Sequence, residues 1–269
     1  MPIERPQHLP DYSDPPLNEV VLGIQYVPVP AYSSINAQEI WNLFCRDFPI
    51  VQEQPLIPPV FETFGGTNLR PSFQFEIGGA PVGSRLWFIA PNRDHLIQFQ
   101  SDRFLANWRK QSETHDYPHF EPIAAAFEKN LSSLEKYFLE RFSYTISINQ
   151  AEVSYINLIP VEDFSDVGLW FSFWQGKNLN METMNLNFKE IMRGSNGQPI
   201  ARLHHELQSV FTMDGRHKAF QLSLTFRGKP PDGNINSALD FIKLGREVIV
   251  NRFTLMTTTQ AHEHWGRVS

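Results

Sequence analysis

Two short stretches of the chain set histidine beside carboxylate: His204-His205-Glu206 and His262-Glu263-His264. Imidazole nitrogen and carboxylate oxygen are the donors that zinc takes, and a site needs three or four of them converging. In an extended segment neighbouring side chains point to opposite faces, so His204 and Glu206 can act together while His205 cannot. His262 and His264 share a face if extended and lie about 200° apart on a helix. Two loose pairs from distant segments fall short of a ligand set, so the sequence points to no metal and no cofactor.

A second kind of chemistry is carried by Asp102-Arg103-Phe104 and Asn107-Trp108-Arg109-Lys110, which combine three cations with an indole. Arginine stacks on tryptophan or grips a carboxylate or phosphate through two parallel hydrogen bonds. Arg103, Trp108 and Arg109 are therefore read as a binding corner, with an internal salt bridge to Asp102 or Glu113 as the competing role. His115, Tyr117 and His119 surround Pro118 without the spacing of a known metal site. Glu162, Asp163 and Asp166 read as a solvated acidic loop. The one cysteine, Cys45, excludes an intrachain disulfide and falls on the apolar side of an expected helix. The chain has no P-loop lysine motif, no GxGxxG after a strand, no GxSxG elbow and no HExxH. These residues leave enzyme activity open and lean towards a protein that binds rather than catalyses.

Such residues act only where secondary structure places them. The strongest element is a helix after Pro118, where Phe120, Ile123, Phe127, Leu131, Leu134, Phe138 and Phe142 recur at steps of three and four. Before it, His95 to Arg103 alternates apolar and polar residues as a half-buried strand does. Glu19 to Val27 reads as a strand, residues 36–48 as an amphipathic helix, and Ser72 to Ile77 and Arg85 to Ala90 as strands, with Val60 to Phe64 as a further short one. Residues 1–16 form a proline-rich N-terminal arm, 17–145 a first unit and 146–269 a second, which repeats the plan. In the second unit, strands are expected at Ile148 to Ile159, Met184 to Ile191, Ala201 to Thr212 and Ala219 to Arg227. A closing helix is expected from Ser237, with Ile235, Leu239, Ile242, Ile249 and Phe253 inward. The fold class is α+β: two pseudo-repeated units of antiparallel sheet, covered on one face by long helices, in a saddle like that of the TATA-binding protein. A helix-grip fold with a cavity is the alternative.

Alternation within these strands also predicts a polar sheet face. Asn185, Asn187 and Lys189 share it with Arg202, His204, Glu206 and Gln208, and with Gln221, Ser223, Thr225, Gln98, Gln100 and Asp102. Amides and hydroxyls at this density suit hydrogen bonding to a peptide, a nucleic-acid strand or another subunit.

At 269 residues, 41% hydrophobic and 19% charged, the chain has an ordinary globular composition with a heavy loading of 22 Phe. A net charge of −6 disfavours nucleic acid without excluding it. No apolar run reaches membrane-spanning or signal-peptide length, from which a cytoplasmic protein with no membrane partner is expected.

Taken together, Glu19-Val20-Val21-Leu22, the DRF and NWRK segments at 102–104 and 107–110, Tyr117-Pro118-His119-Phe120, Tyr155-Ile156-Asn157 and the terminal His262 with Trp265-Gly266 resemble a sporadically distributed family of uncharacterised prokaryotic proteins of about this length. The resemblance spans nearly the whole chain apart from 161–180. It implies no particular activity, and by analogy with its patchy distribution an accessory or defence role. The expectation is thus a binding module using the polar face and the Arg103/Trp108/Arg109 corner, with Lys189, Arg202, His204 and Glu206 in contact with a macromolecular partner or a second copy of the chain. The alternative is a small-ligand binder or enzyme with a cavity between sheet and helices.

Overall fold

The structure is a computed structural model and describes residues 5–65, 84–111, 116–176, 179–212 and 217–268. The strand expected over Ser72 to Ile77 lies outside the described residues, as do Glu113 and His115.

In chain order the elements are β1 (Leu17–Tyr26), α1 (Ala37–Phe44), β2 (Ile50–Gln54), β3 (Arg85–Ile89), β4 (His95–Gln100), β5 (Arg103–Arg109), α2 (Phe120–Phe142), β6 (Ile148–Val161), α3 (Val167–Trp170), β7 (Asn185–Arg193), β8 (Pro199–Phe211), β9 (Lys218–Gly228), α4 (Ile235–Met256) and α5 (Thr259–His264). The nine described strands form one antiparallel sheet in the order β2-β3-β4-β5-β1-β6-β9-β8-β7. β1 and β6, the first strand of each half, pair at its centre.

The long helices cover one face, and side-chain alternation decides which residues they bury. Val20, Leu22, Ile24 and Tyr26 of β1 lie in register with Phe104 and Trp108 of β5 and with Val153 and Tyr155 of β6, all buried. The α2 stripe from Phe120 to Phe138 packs on this surface, with the Phe127 ring tilted against Phe104 at 5.9 Å. Each such side chain contributes about 1.5 to 3 kcal/mol by leaving water. α4 approaches more closely because Gly245 has no Cβ: one placed there would sit 2.5 Å from Phe226 and 2.6 Å from Val153. Its N-terminus is capped by Asn234, whose Oδ1 accepts from the Ser237 amide at 2.9 Å, rather than by Ser237.

The arm and the C-terminal tail are docked together. Tyr12 pairs with Arg267 in an isolated β-bridge, and Trp265 is enclosed by Tyr12, Phe253 and Trp170, with ring centroids 6.2, 5.2 and 5.7 Å away. This is why His262 is buried: it sits in α5 with its Nε2 on Thr257 Oγ1 at 2.8 Å.

Three elements differ from the sequence expectation. The strand read through His95 to Arg103 is two strands, because the chain reverses at Ser101-Asp102. Ile50–Gln54 forms the edge strand β2 although its exposed, polar residues give no apolar alternation. Val60 to Phe64 belongs to no strand and instead crosses the face opposite the helices.

Candidate binding surface on the polar face of the sheet

The face away from the helices carries Arg103, Asn107 and Arg109 of β5, Gln25 of β1, Gln150 and Glu152 of β6, Arg227 and Thr225 of β9, Arg202, His204 and Glu206 of β8, and Lys189 of β7, as strand register requires. After β2 the chain does not return along the sheet edge. Residues 55–64, PLIPPVFETF, run across this face from strand to strand.

The hydrogen bonds trace the path. The Pro55 carbonyl accepts from Arg85 on β3 at 3.1 Å, and the Pro58 carbonyl from Arg103 on β5 at 3.0 Å. Between them Gln100 on β4 holds Ile57 by both backbone groups. The Val60 amide donates to Gln25 on β1 at 2.9 Å and the Glu62 amide to Gln150 on β6 at 3.3 Å. Thr63 presents its carbonyl to Arg202 on β8 at 2.6 Å. The partners thus follow the spatial strand order, β3-β4-β5-β1-β6 and then β8 beyond β9. Six strand spacings at about 4.8 Å make about 29 Å, and the eight residue steps from 55 to 63 span about 28 Å when extended. The prolines favour that extended backbone and remove amide donors that would lack a partner. Val60, Glu62 and Phe64 point inward while Phe61, 51% exposed, points out.

Glu62 is the anchor. Its side chain is 4% exposed and its two oxygens meet Arg202 Nη1 and His204 Nε2, the latter at 2.6 Å, with Arg227 Nη1 at 4.0 Å. Burial alone would raise this carboxyl, but the hydrogen bonds and charges of His204 and Arg202 outweigh it and hold the pKa at about 2. Arg202 also covers the Phe64 ring at 4.6 Å. Under the strap a cavity of about 20 Å³, the size of one water, is bounded by Gln25, Arg103, Gln150, Glu152 and Arg227.

The structure brings Arg103, Arg202 and His204 onto one line beneath the strap, engaged by residues of the chain itself. Arg109 lies on the same face further along β5, where its guanidinium and that of Arg85 each stand 5.5 Å from the Trp87 ring. Glu206 and Lys189 lie beyond the strap, half-buried and exposed respectively. Trp108 does not join them. It is one residue from Arg109 on a strand, so it points to the opposite face, 2% exposed in the core beside Tyr117 at 5.2 Å. The indole of the corner is Trp87. His205 is likewise on the helix side, stacked on Phe188 at 4.2 Å with Nε2 3.0 Å from Glu190, and its burial lowers its pKa. Among the described residues no cluster of three or more metal-ligating side chains forms.

Sequence reasoning missed Glu62, Gln25, Gln150 and Glu152. The one signal available was the apolar content around and after the prolines of PLIPPVFETF, too high for a free loop. Among the described residues no helix is long and apolar enough to cross a membrane. Comparison of the chain with protein-family models, with curated proteins and with solved structures gives no match.

Proposed function

We propose that the chain is a binding module whose polar sheet face holds extended polypeptide laid across the strands, with residues 55–64 as its resident segment. The observation that carries this reading is the succession of side-chain amides and arginines, Gln100, Arg103, Gln25, Gln150 and Arg202, each meeting a backbone group of the strap. Backbone recognition of this kind tolerates many sequences, and the pocket for Glu62 adds a preference for an acidic residue. Beside the strap a parallel lane of Glu19, Ile156, Ser223, Glu206 and Asn187 is half-buried or exposed, and a second extended segment from a partner would lie along it. A cytoplasmic setting and a role as an accessory protein fit this reading.

The same proposal includes the relation of the two halves. The placing of β1 and β6 at the centre, each flanked by the last strand of its own half and followed by a long helix, supports a saddle-like duplication.

The test is a labelled peptide of residues 55–64 titrated against native protein and against Glu62→Ala, in which the strap loses its anchor while the sheet is intact. Binding to the variant, little binding to the native protein, and loss of binding when the peptide carries Ala at the glutamate position are expected. An Glu62→Ala protein whose strap is open to protease yet takes up no peptide overturns the reading.

A further inference from the structure

On the other side of the sheet a cavity of about 60 Å³ lies between β1, β6 and α4, with the N-terminal arm as its outer wall. Leu17, Ile249 and Phe253 make one side apolar, and Tyr117, Tyr155 and Arg246 make the other polar. The arm is fixed there by Tyr12, whose hydroxyl meets Thr254 Oγ1 of α4 at 2.8 Å, and is braced within itself by Arg5, whose guanidinium meets Asp11 at 2.9 Å and the Pro10 carbonyl at 2.9 Å.

The polar side holds a buried cation and a pair of hydroxyls, while Asp11 of the arm is paired with Arg5. Arg246 is 4% exposed; its Nη2 donates to Glu121 at 3.1 Å, its guanidinium lies 5.2 Å from the Phe120 ring, and its buried Nε makes no hydrogen bond. Burial raises the pKa of the Tyr155 hydroxyl, and the positive charge of Arg246 partly opposes this. The Tyr117 and Tyr155 oxygens are 3.1 Å apart, so one proton is shared between them and the other hydroxyl proton faces the need for a different acceptor. Asn157, also on the wall, spends its amide on the Leu222 carbonyl at 3.2 Å. A buried guanidinium N–H left without a partner is costly, and such a group is matched by a molecule that brings oxygen acceptors.

We propose that this cavity binds a small carboxylate with a short aliphatic body. Its oxygens accept from Arg246 and the tyrosine pair, and its hydrocarbon lies against Leu17, Ile249 and Phe253. Glu121 takes Nη2 of Arg246 and leaves its Nε–H without a partner.

The experiment is a titration of native protein with propionate, and with propylamine as the cationic isostere, followed by methyl NMR of Leu17, Ile249 and Val250. Propionate should shift these methyls saturably in the millimolar range, the affinity open to a ligand of about five heavy atoms. Tyr155→Phe, which keeps the ring packing, should weaken it about ten-fold, and Arg246→Gln more where that variant folds. Absence of a saturable shift at these methyls, equal binding of propylamine, or undiminished propionate affinity in a folded Tyr155→Phe overturns the proposal.

Discussion

Gln100 holds Ile57 as a neighbouring strand would: its Nε2 donates to the Ile57 carbonyl at 2.9 Å and its Oε1 accepts from the Ile57 amide at 3.0 Å. A side-chain amide carries the same donor and acceptor pair as a backbone peptide, so a strap running across the strands can be bonded where no ladder is available. Gln100 is 1% exposed and also donates to Asp102 at 2.8 Å, which fixes its amide in place.

Replacing Gln100 by Ala should therefore do more than remove two hydrogen bonds. The Ile57 amide and the Asp102 carboxylate would each lose a partner in a buried setting. A loss of about 2 to 3 kcal/mol is expected from the unmatched groups. Urea denaturation measures it, and limited proteolysis should show cleavage between 55 and 65 that the native protein resists. A variant with native stability and a protected strap would mean that the Glu62 end alone holds it.

Acid should act on the strap through Glu62. Its pKa falls from an ordinary 4.5 to about 2 in the folded protein. A lowered carboxyl contributes stability that is fully present above its unfolded value and is lost as pH falls through the folded one. The window is thus between about pH 4.5 and pH 2, and the contribution is on the order of 2 kcal/mol after allowance for partial solvent screening. Glu62→Gln should be less stable at neutral pH and should lose stability less steeply in that window. Parallel acid slopes for the two proteins, read from urea midpoints, would remove Glu62 as the acid-sensitive anchor.

The helix side of this fold was legible in the sequence and the polar side was legible only in part. The α2 stripe from Phe120 to Phe138 is read directly because burial and a period of 3.6 residues coincide. The same alternation put Arg202 and His204 on a polar face, and applied one residue further it separates Trp108 from Arg109. The reversal at Ser101-Asp102 was hidden because it uses neither Gly nor Pro, and Asp102 continues the alternation of Gln98 and Gln100. The strap was hidden for a different reason. Its bonds run from backbone to Gln25, Gln100 and Gln150, residues up to 88 positions away, so no local pattern in PLIPPVFETF records where it lies.

Gly245 sets the distance between α4 and the sheet. Gly245→Ala gains helix propensity of about 0.5 to 1 kcal/mol, but the new methyl would meet Phe226 and Val153 at 2.5 and 2.6 Å. Both neighbours are fully buried, so neither can move freely. Overpacking of this kind costs about 1 to 3 kcal/mol, which exceeds the gain. A net fall in melting temperature is expected, with Leu244→Ala, at a 41% exposed neighbour, changing little. A Gly245→Ala protein more stable than the native one would show that α4 can lift from the sheet at no cost.

Trp265 joins three parts of the chain that are distant in sequence. Its ring stacks on Trp170 at 23° between planes and touches Phe253 of α4 and Tyr12 of the arm. Trp265→Ala should cost about 3 to 5 kcal/mol, because a 4% exposed indole leaves a cavity its rigid neighbours cannot fill. The sharper expectation concerns where the damage shows. The arm meets α4 through Tyr12 Oη and Thr254 Oγ1 at 2.8 Å and meets the tail through Ser13 N and the Gly266 carbonyl at 3.0 Å. With the indole gone, these contacts lose their backing, and hydrogen exchange should rise over 5–16 and 257–267 before it rises in α2. The strap lies on the opposite face, so its protection should persist. Uniform loss of protection in all three regions would instead make the tail part of one cooperative unit with the sheet.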